Sequence, residues 1–94
     1  MVVTILEGKI SLDKIPLLQK KYSEILKNKP PSIEKSYLLV DSENQNMCQI
    51  ITIWKSREDI DEMRKQGTPA GVLLFREVGT EPTLSIYEVI GQSI

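Results

Sequence analysis

Residues 47–63 read MCQIITIWKSREDIDEM, and this stretch decides the architecture. Its first nine residues hold three isoleucines, Thr52 and Trp54, the β-branched and aromatic side chains that suit a pleated strand. Successive strand residues face opposite ways, so Cys48, Ile50, Thr52 and Trp54 share one face while Ile51 and Ile53 share the other. Both faces are apolar, whereas a sheet with one wetted face alternates between apolar and polar. Ser56 then suits a helix N-cap, with Asp59 three residues on in a weaker version of the capping box. Ile60 and Met63 give the helix that follows its inner face.

Upstream, the polar run at 41–46 has no apolar group to bury and reads as a hairpin loop. Residues 33–40 are therefore expected to form the antiparallel partner strand. Before them, Ile15, Leu18, Tyr22 and Ile25 recur at helical spacing and Leu26 widens the stripe. Asp13 is the expected cap of this helix, Pro16 lies in its first turn, and Pro30 and Pro31 stop it. Residues 2–10, rich in Val, Ile and Thr, form the first strand. Downstream, Gly67 interrupts the second helix and Thr68-Pro69 restarts it as cap and first helical residue. Val72, Leu73, Leu74 and Phe75 make a compact apolar patch before Gly79, and residues 83–90 are the fourth strand.

The order β-α-β-β-α-β is ferredoxin-like, an α+β class with an antiparallel four-stranded sheet and helices on one face, here as a single domain over 1–94. The first and fourth strands are two-faced as well. Val3 and Ile5 oppose Val2 and Leu6, and Leu84, Ile86 and Ile90 oppose Tyr87 and Val89. Helices on one side leave an apolar face open. A second copy of the chain, sheet against sheet, is its simplest cover, so a homodimer is expected. The competing arrangement has the edge strands and residues 68–75 wrapping around that face.

Composition narrows the function classes. Ninety-four residues, 40% hydrophobic and 27% charged, make one small globular domain. Twelve Lys+Arg against thirteen Asp+Glu leave a net charge of −1, without the basic excess of a nucleic-acid or anionic-membrane binder. No apolar run approaches the roughly 20 residues that span a bilayer. The first ten residues carry Glu7 and no basic segment before their apolar run, unlike a secretion signal. A single cysteine, Cys48, cannot form an intramolecular disulfide, and a cytoplasmic protein is expected. There is no histidine, which excludes Ser-His-Asp triads, Cys-His pairs and His-based zinc sites. Neither a metal nor another cofactor is expected.

The run 49–56 followed by 57–63, a strand ending in Trp54-Lys55-Ser56 and then an acidic helix start, resembles the antibiotic biosynthesis monooxygenase (ABM) family. Members of that family are dimeric α+β barrels of similar length and element order. The resemblance implies a ligand pocket between the helices and one face of the sheet. Some members oxygenate polycyclic phenols without metal or flavin, others bind and degrade haem, and many have no assigned reaction. The haem-degrading branch resembles this sequence at Trp54-Lys55-Ser56 but places a tryptophan where Met63 stands and relies on a histidine, which this chain lacks. Its asparagine in the first strand has no counterpart near Glu7 and Gly8, so haem degradation is not expected.

Within such a pocket Trp54, Tyr37 and Tyr87 are candidates to orient an aromatic ligand, and Met63 and Phe75 to line the wall. Each also reads as core or cross-strand packing. Glu7 interrupts an apolar strand and is the candidate catalytic base; burial in the pocket would raise its pKa. The competing reading of Glu7 is a carboxylate near a strand end, paired with a lysine. Cys48 reads as a small buried hydrophobe and Ser56 as a cap without catalysis. The acidic cluster at 57–62 reads as solvated surface, and the lysines at 20–21 and 27–29 are too sparse for nucleic acid.

The expected function is a dimeric ABM-like protein that binds an apolar or aromatic metabolite and, if catalytic, oxygenates it without a cofactor. The alternative is a non-catalytic ligand-sensing or structural dimer, since fold does not fix function. A DNA-binding regulator stands last, for want of a basic reader element.

Overall fold

The computed structural model describes residues 1–93 and carries the expected element order with one addition. Strand β1 (Val2–Lys9) leads through a 3-10 turn (Leu12–Lys14) into helix α1 (Ile15–Leu26). Strands β2 (Ile33–Val40) and β3 (Met47–Trp54) form a hairpin, helices α2 (Arg57–Lys65) and α3 (Ala70–Glu77) follow, and β4 (Thr83–Glu88) joins the sheet last. The strands pair antiparallel throughout, in the order β2-β3-β1-β4. This is the α+β, ferredoxin-like arrangement, with the second helical segment divided into two helices.

Local chemistry explains where the elements depart from expectation. Gly67 has φ +121°, a conformation that suits glycine alone, and it separates α2 from α3. Pro69 stays extended (φ −57°, ψ 145°), so α3 begins at Ala70 and Thr68 is not its cap. Asp13 does not cap α1 either. It sits inside the 3-10 turn, which Lys14 N–H closes onto the Ser11 carbonyl at 2.8 Å, and Pro16 becomes the second helical residue. Ser56 does precede α2 in an extended conformation, but its hydroxyl donates to Asp59 Oδ2 at 3.0 Å instead of meeting a helix amide. The fourth strand ends at Glu88, opposite Val2, and Val89 N–H reaches the Met1 carbonyl at 3.2 Å.

Register determines which residues share a face. Val2, Thr4 and Leu6 of β1 lie beside Trp54, Thr52 and Ile50 of β3, and all six are buried beneath the helices. Two apolar clusters result. One joins Leu6, Ile10, Cys48 and Ile50 to Leu18 of α1 and to Leu74, Phe75 and Val78 around α3. The other joins Val2 and Trp54 to Ile60 of α2, with Ile33, Met63 and Ile86 packed against it. Leu74 and Phe75 place α3 on the same side as α1, so residues 68–75 do not wrap the opposite face. That face carries half-buried Val3, Ile5, Ile51 and Ile53 between Tyr37 and Tyr87, which are 47% and 55% exposed. No helix among the described residues is long and apolar enough to cross a membrane.

Candidate functional site

A row of hydroxyls separates the two apolar clusters. Ser36, Thr52 and Thr4 are successive register partners across β2, β3 and β1, and all three belong to the helix side of the sheet. Thr4 and Thr52 are only 7% and 8% exposed. Each hydroxyl is held from a neighbouring element. Tyr22 of α1 donates its phenolic O–H to Ser36 Oγ at 2.8 Å, Ser36 and Thr52 meet at 3.4 Å, and the Trp54 indole donates to Thr4 Oγ1 at 2.9 Å. The helices stand off this row because α1, α2 and α3 bury their apolar residues in the clusters on either side.

The space they leave is a cavity of about 670 Å³. Its floor is the hydroxyl row with Leu6, Ile50 and Trp54, and its walls include Tyr22, Met63 and Val72. Charged side chains stand at the rim: Lys21 and Glu24 on α1, Arg64 on α2 and Glu77 on α3. Lys21 Nζ bridges to Glu77 Oε2 at 2.7 Å across the α1–α3 contact, and this hydrogen bond raises the lysine pKa from its ordinary value. No carboxylate reaches the floor. The site can therefore enclose an apolar body against a strip of neutral polar groups, the usual construction of a small-molecule site.

The candidates read from sequence divide between the two faces. Trp54 and Met63 line the cavity. Phe75 does not, being fully buried within the larger cluster. Tyr37, Tyr87 and Glu7 are also corrected in place: all three project from the opposite face, as the register with Ile51, Val3 and Gln49 requires. Glu7 accepts a hydrogen bond there from Gln49 Nε2, not from a lysine. It stands on the wrong side of β1 to act as a base in this cavity. Cys48 lies in the core, and burial pushes its thiol pKa up. Among the described residues no three of His, Cys, Asp and Glu gather as a metal-ligand set. Sequence reasoning missed Tyr22, Ser36, Thr4 and Thr52 as site residues. The available signal was a threonine within an inward series of apolar residues, in both Val2-Thr4-Leu6 and Ile50-Thr52-Trp54.

No protein-family model matches the chain, and no curated protein matches it in sequence. Solved structures do. A candidate antibiotic biosynthesis monooxygenase from Deinococcus radiodurans superposes with a TM-score of 0.75 at 13% identity, over 100% of this chain and 96% of that one. Another antibiotic biosynthesis monooxygenase gives 0.70 at 18% identity, over 97% and 100%. The chain has the ABM fold. The haem degrader MhuD from Mycobacterium tuberculosis, solved with two haems bound in its active site, matches at 0.73 and 20% identity over 99% of each chain. At such identities the shared property is the ABM fold itself, and it extends over at least 96% of each of these chains.

Proposed function

We propose that this protein binds a small apolar or aromatic metabolite in the cavity between its helices and the hydroxyl row, and that it does so as a homodimer. The cavity carries the first half of the reading. Its volume of about 670 Å³ lies within the roughly 300–1,000 Å³ of small-molecule clefts, and its lining combines apolar walls with a few convergent polar groups. The open sheet face supports the second half. Val3, Ile5, Ile51 and Ile53 form an apolar centre that no element of the chain covers among the described residues. A twin chain presents the same surface, which makes the contact self-complementary.

Oxygenation of the ligand is a second reading, favoured by the fold shared with antibiotic biosynthesis monooxygenases. In that case Tyr22 and Trp54 orient the substrate, and its proton passes to water or to a rim group, because the floor holds no carboxylate. Haem is not part of either reading. The chain has no histidine to offer an iron, and Met63 stands where the haem-degrading pattern has a tryptophan.

Titration with the aromatic ketone 1-tetralone, followed through the fluorescence of Trp54, tests the binding reading. The wild-type chain is expected to show saturable quenching. Val72→Phe, which fills part of the wall, is expected to weaken binding about tenfold; equal binding by both proteins contradicts the assignment of the site. For oxygenation, incubation with phenolic substrates under air and under nitrogen is decisive, since product formed without oxygen rules that chemistry out.

A further inference from the structure

We propose that the cavity floor selects a ligand bearing an uncharged acceptor oxygen, a ketone, quinone or ester carbonyl, which docks on the adjacent hydroxyls of Thr4 and Thr52. The inference rests on the ligand-binding reading above and follows from counting protons. An indole N–H can only donate, so Thr4 Oγ1 is the acceptor of the 2.9 Å bond from Trp54 and its own proton takes no part in that bond. Tyr22 gives its proton to Ser36 Oγ, and in the 3.4 Å contact between Ser36 Oγ and Thr52 Oγ1 either hydroxyl can donate, since Ser36 Oγ has a second lone pair. A ligand acceptor over the floor selects the arrangement in which Ser36 donates and Thr52 accepts, leaving the Thr52 proton for the ligand. In that arrangement each threonine has one O–H to donate, and among the described residues neither hydroxyl makes a second hydrogen bond.

Both donors are more than nine-tenths buried, they are direct register partners, and both line the cavity. A single carbonyl oxygen has two lone pairs and accepts from both. A hydrocarbon placed there leaves the buried Thr4 donor without a partner and offers nothing to the Thr52 proton in place of Ser36. A carboxylate is disfavoured too, because it would give up its hydration with no cation on the floor; Lys21 and Arg64 stand at the rim, and Lys21 is held by Glu77. Thr4 and Thr52 are therefore specificity-determining residues. Trp54 is a positioning residue that makes Thr4 Oγ1 an acceptor and leaves its proton to the ligand. Tyr22 and Ser36 are positioning residues that hold Thr52 from the β2 side.

The test uses the full chain labelled with nitrogen-15 and two bicyclic probes that differ by one carbonyl, 1-tetralone and tetralin. Trp54 is the sole tryptophan and its indole N–H touches Thr4, so its resonance reports occupancy of the floor. The dissociation constants of the two probes are measured for wild type, Thr52→Val and Thr52→Ser. The ratio of the tetralin constant to the tetralone constant is expected to fall roughly fivefold in Thr52→Val, one hydrogen bond being lost, and to return in Thr52→Ser. In the wild-type complex the tetralone C=O stretch is expected below its frequency in hydrocarbon solvent. A ratio unchanged by Thr52→Val, or a hydrocarbon-like C=O frequency, overturns the inference and leaves the ligand site standing. If neither probe moves the Trp54 resonance, the ligand-binding reading fails and the inference falls with it.

Discussion

Thr4 and Trp54 meet across β1 and β3 deep in the sheet, and their hydrogen bond ties the cavity floor to the smaller apolar cluster. Thr4→Val keeps the shape of the side chain but leaves the buried indole N–H without an acceptor. The expected loss is about 1–3 kcal/mol of folding stability, read in urea denaturation from Trp54 fluorescence. An unchanged midpoint contradicts the bond's role. The same positions show what the sequence could and could not tell. Parity along β1 already separates Glu7 from Thr4, since odd and even residues face opposite ways. Which parity faces the helices depends on the pairing of Val2 with Trp54, a long-range contact that no single strand encodes. Glu7 drew attention because it is charged, yet its partner is Gln49 on the open face. The threonines that line the cavity looked ordinary because threonine is a good strand residue wherever it points.

The elements themselves were more legible than the site. Helix α1 could be bounded from its apolar spacing and from Pro30 and Pro31, and β2 from the polar loop that follows it. Ends were harder to place, because short-range bonds compete there: the 3-10 turn ahead of α1 displaced Asp13 from its capping role, and extended Pro69 delayed α3 by one residue. The division of the second helical segment matters for the site. Helix α2 then packs toward the Trp54 cluster and α3 toward the Leu18 cluster, and the cavity lies between the two. Phe75 anchors α3 with no exposed surface. Phe75→Ala is expected to cost about 3–5 kcal/mol by calorimetry or urea unfolding, through lost burial and a residual void. That is a large share of the roughly 5–15 kcal/mol that holds a domain together. A loss below about 1 kcal/mol would show that α3 is not seated as described.

One sheet serves two different environments. Its helix side is interrupted by a hydroxyl row and encloses a cavity; its open side is apolar at the centre, with the Glu7–Gln49 pair toward one end. The doubled apolar pattern was readable in the sequence, because Ile51 and Ile53 alternate with Ile50 and Trp54. The cavity was not, because it comes from the spacing between helices that a linear pattern does not contain. Helix side for a ligand and open side for a twin chain is the division of labour proposed for this molecule. Native mass spectrometry of the purified protein tests both halves at once. The predicted species has the mass of two chains plus retained small molecule, which collisional activation releases before the chains part. A bare single chain across the micromolar range, with no bound mass under the gentlest conditions, contradicts the account.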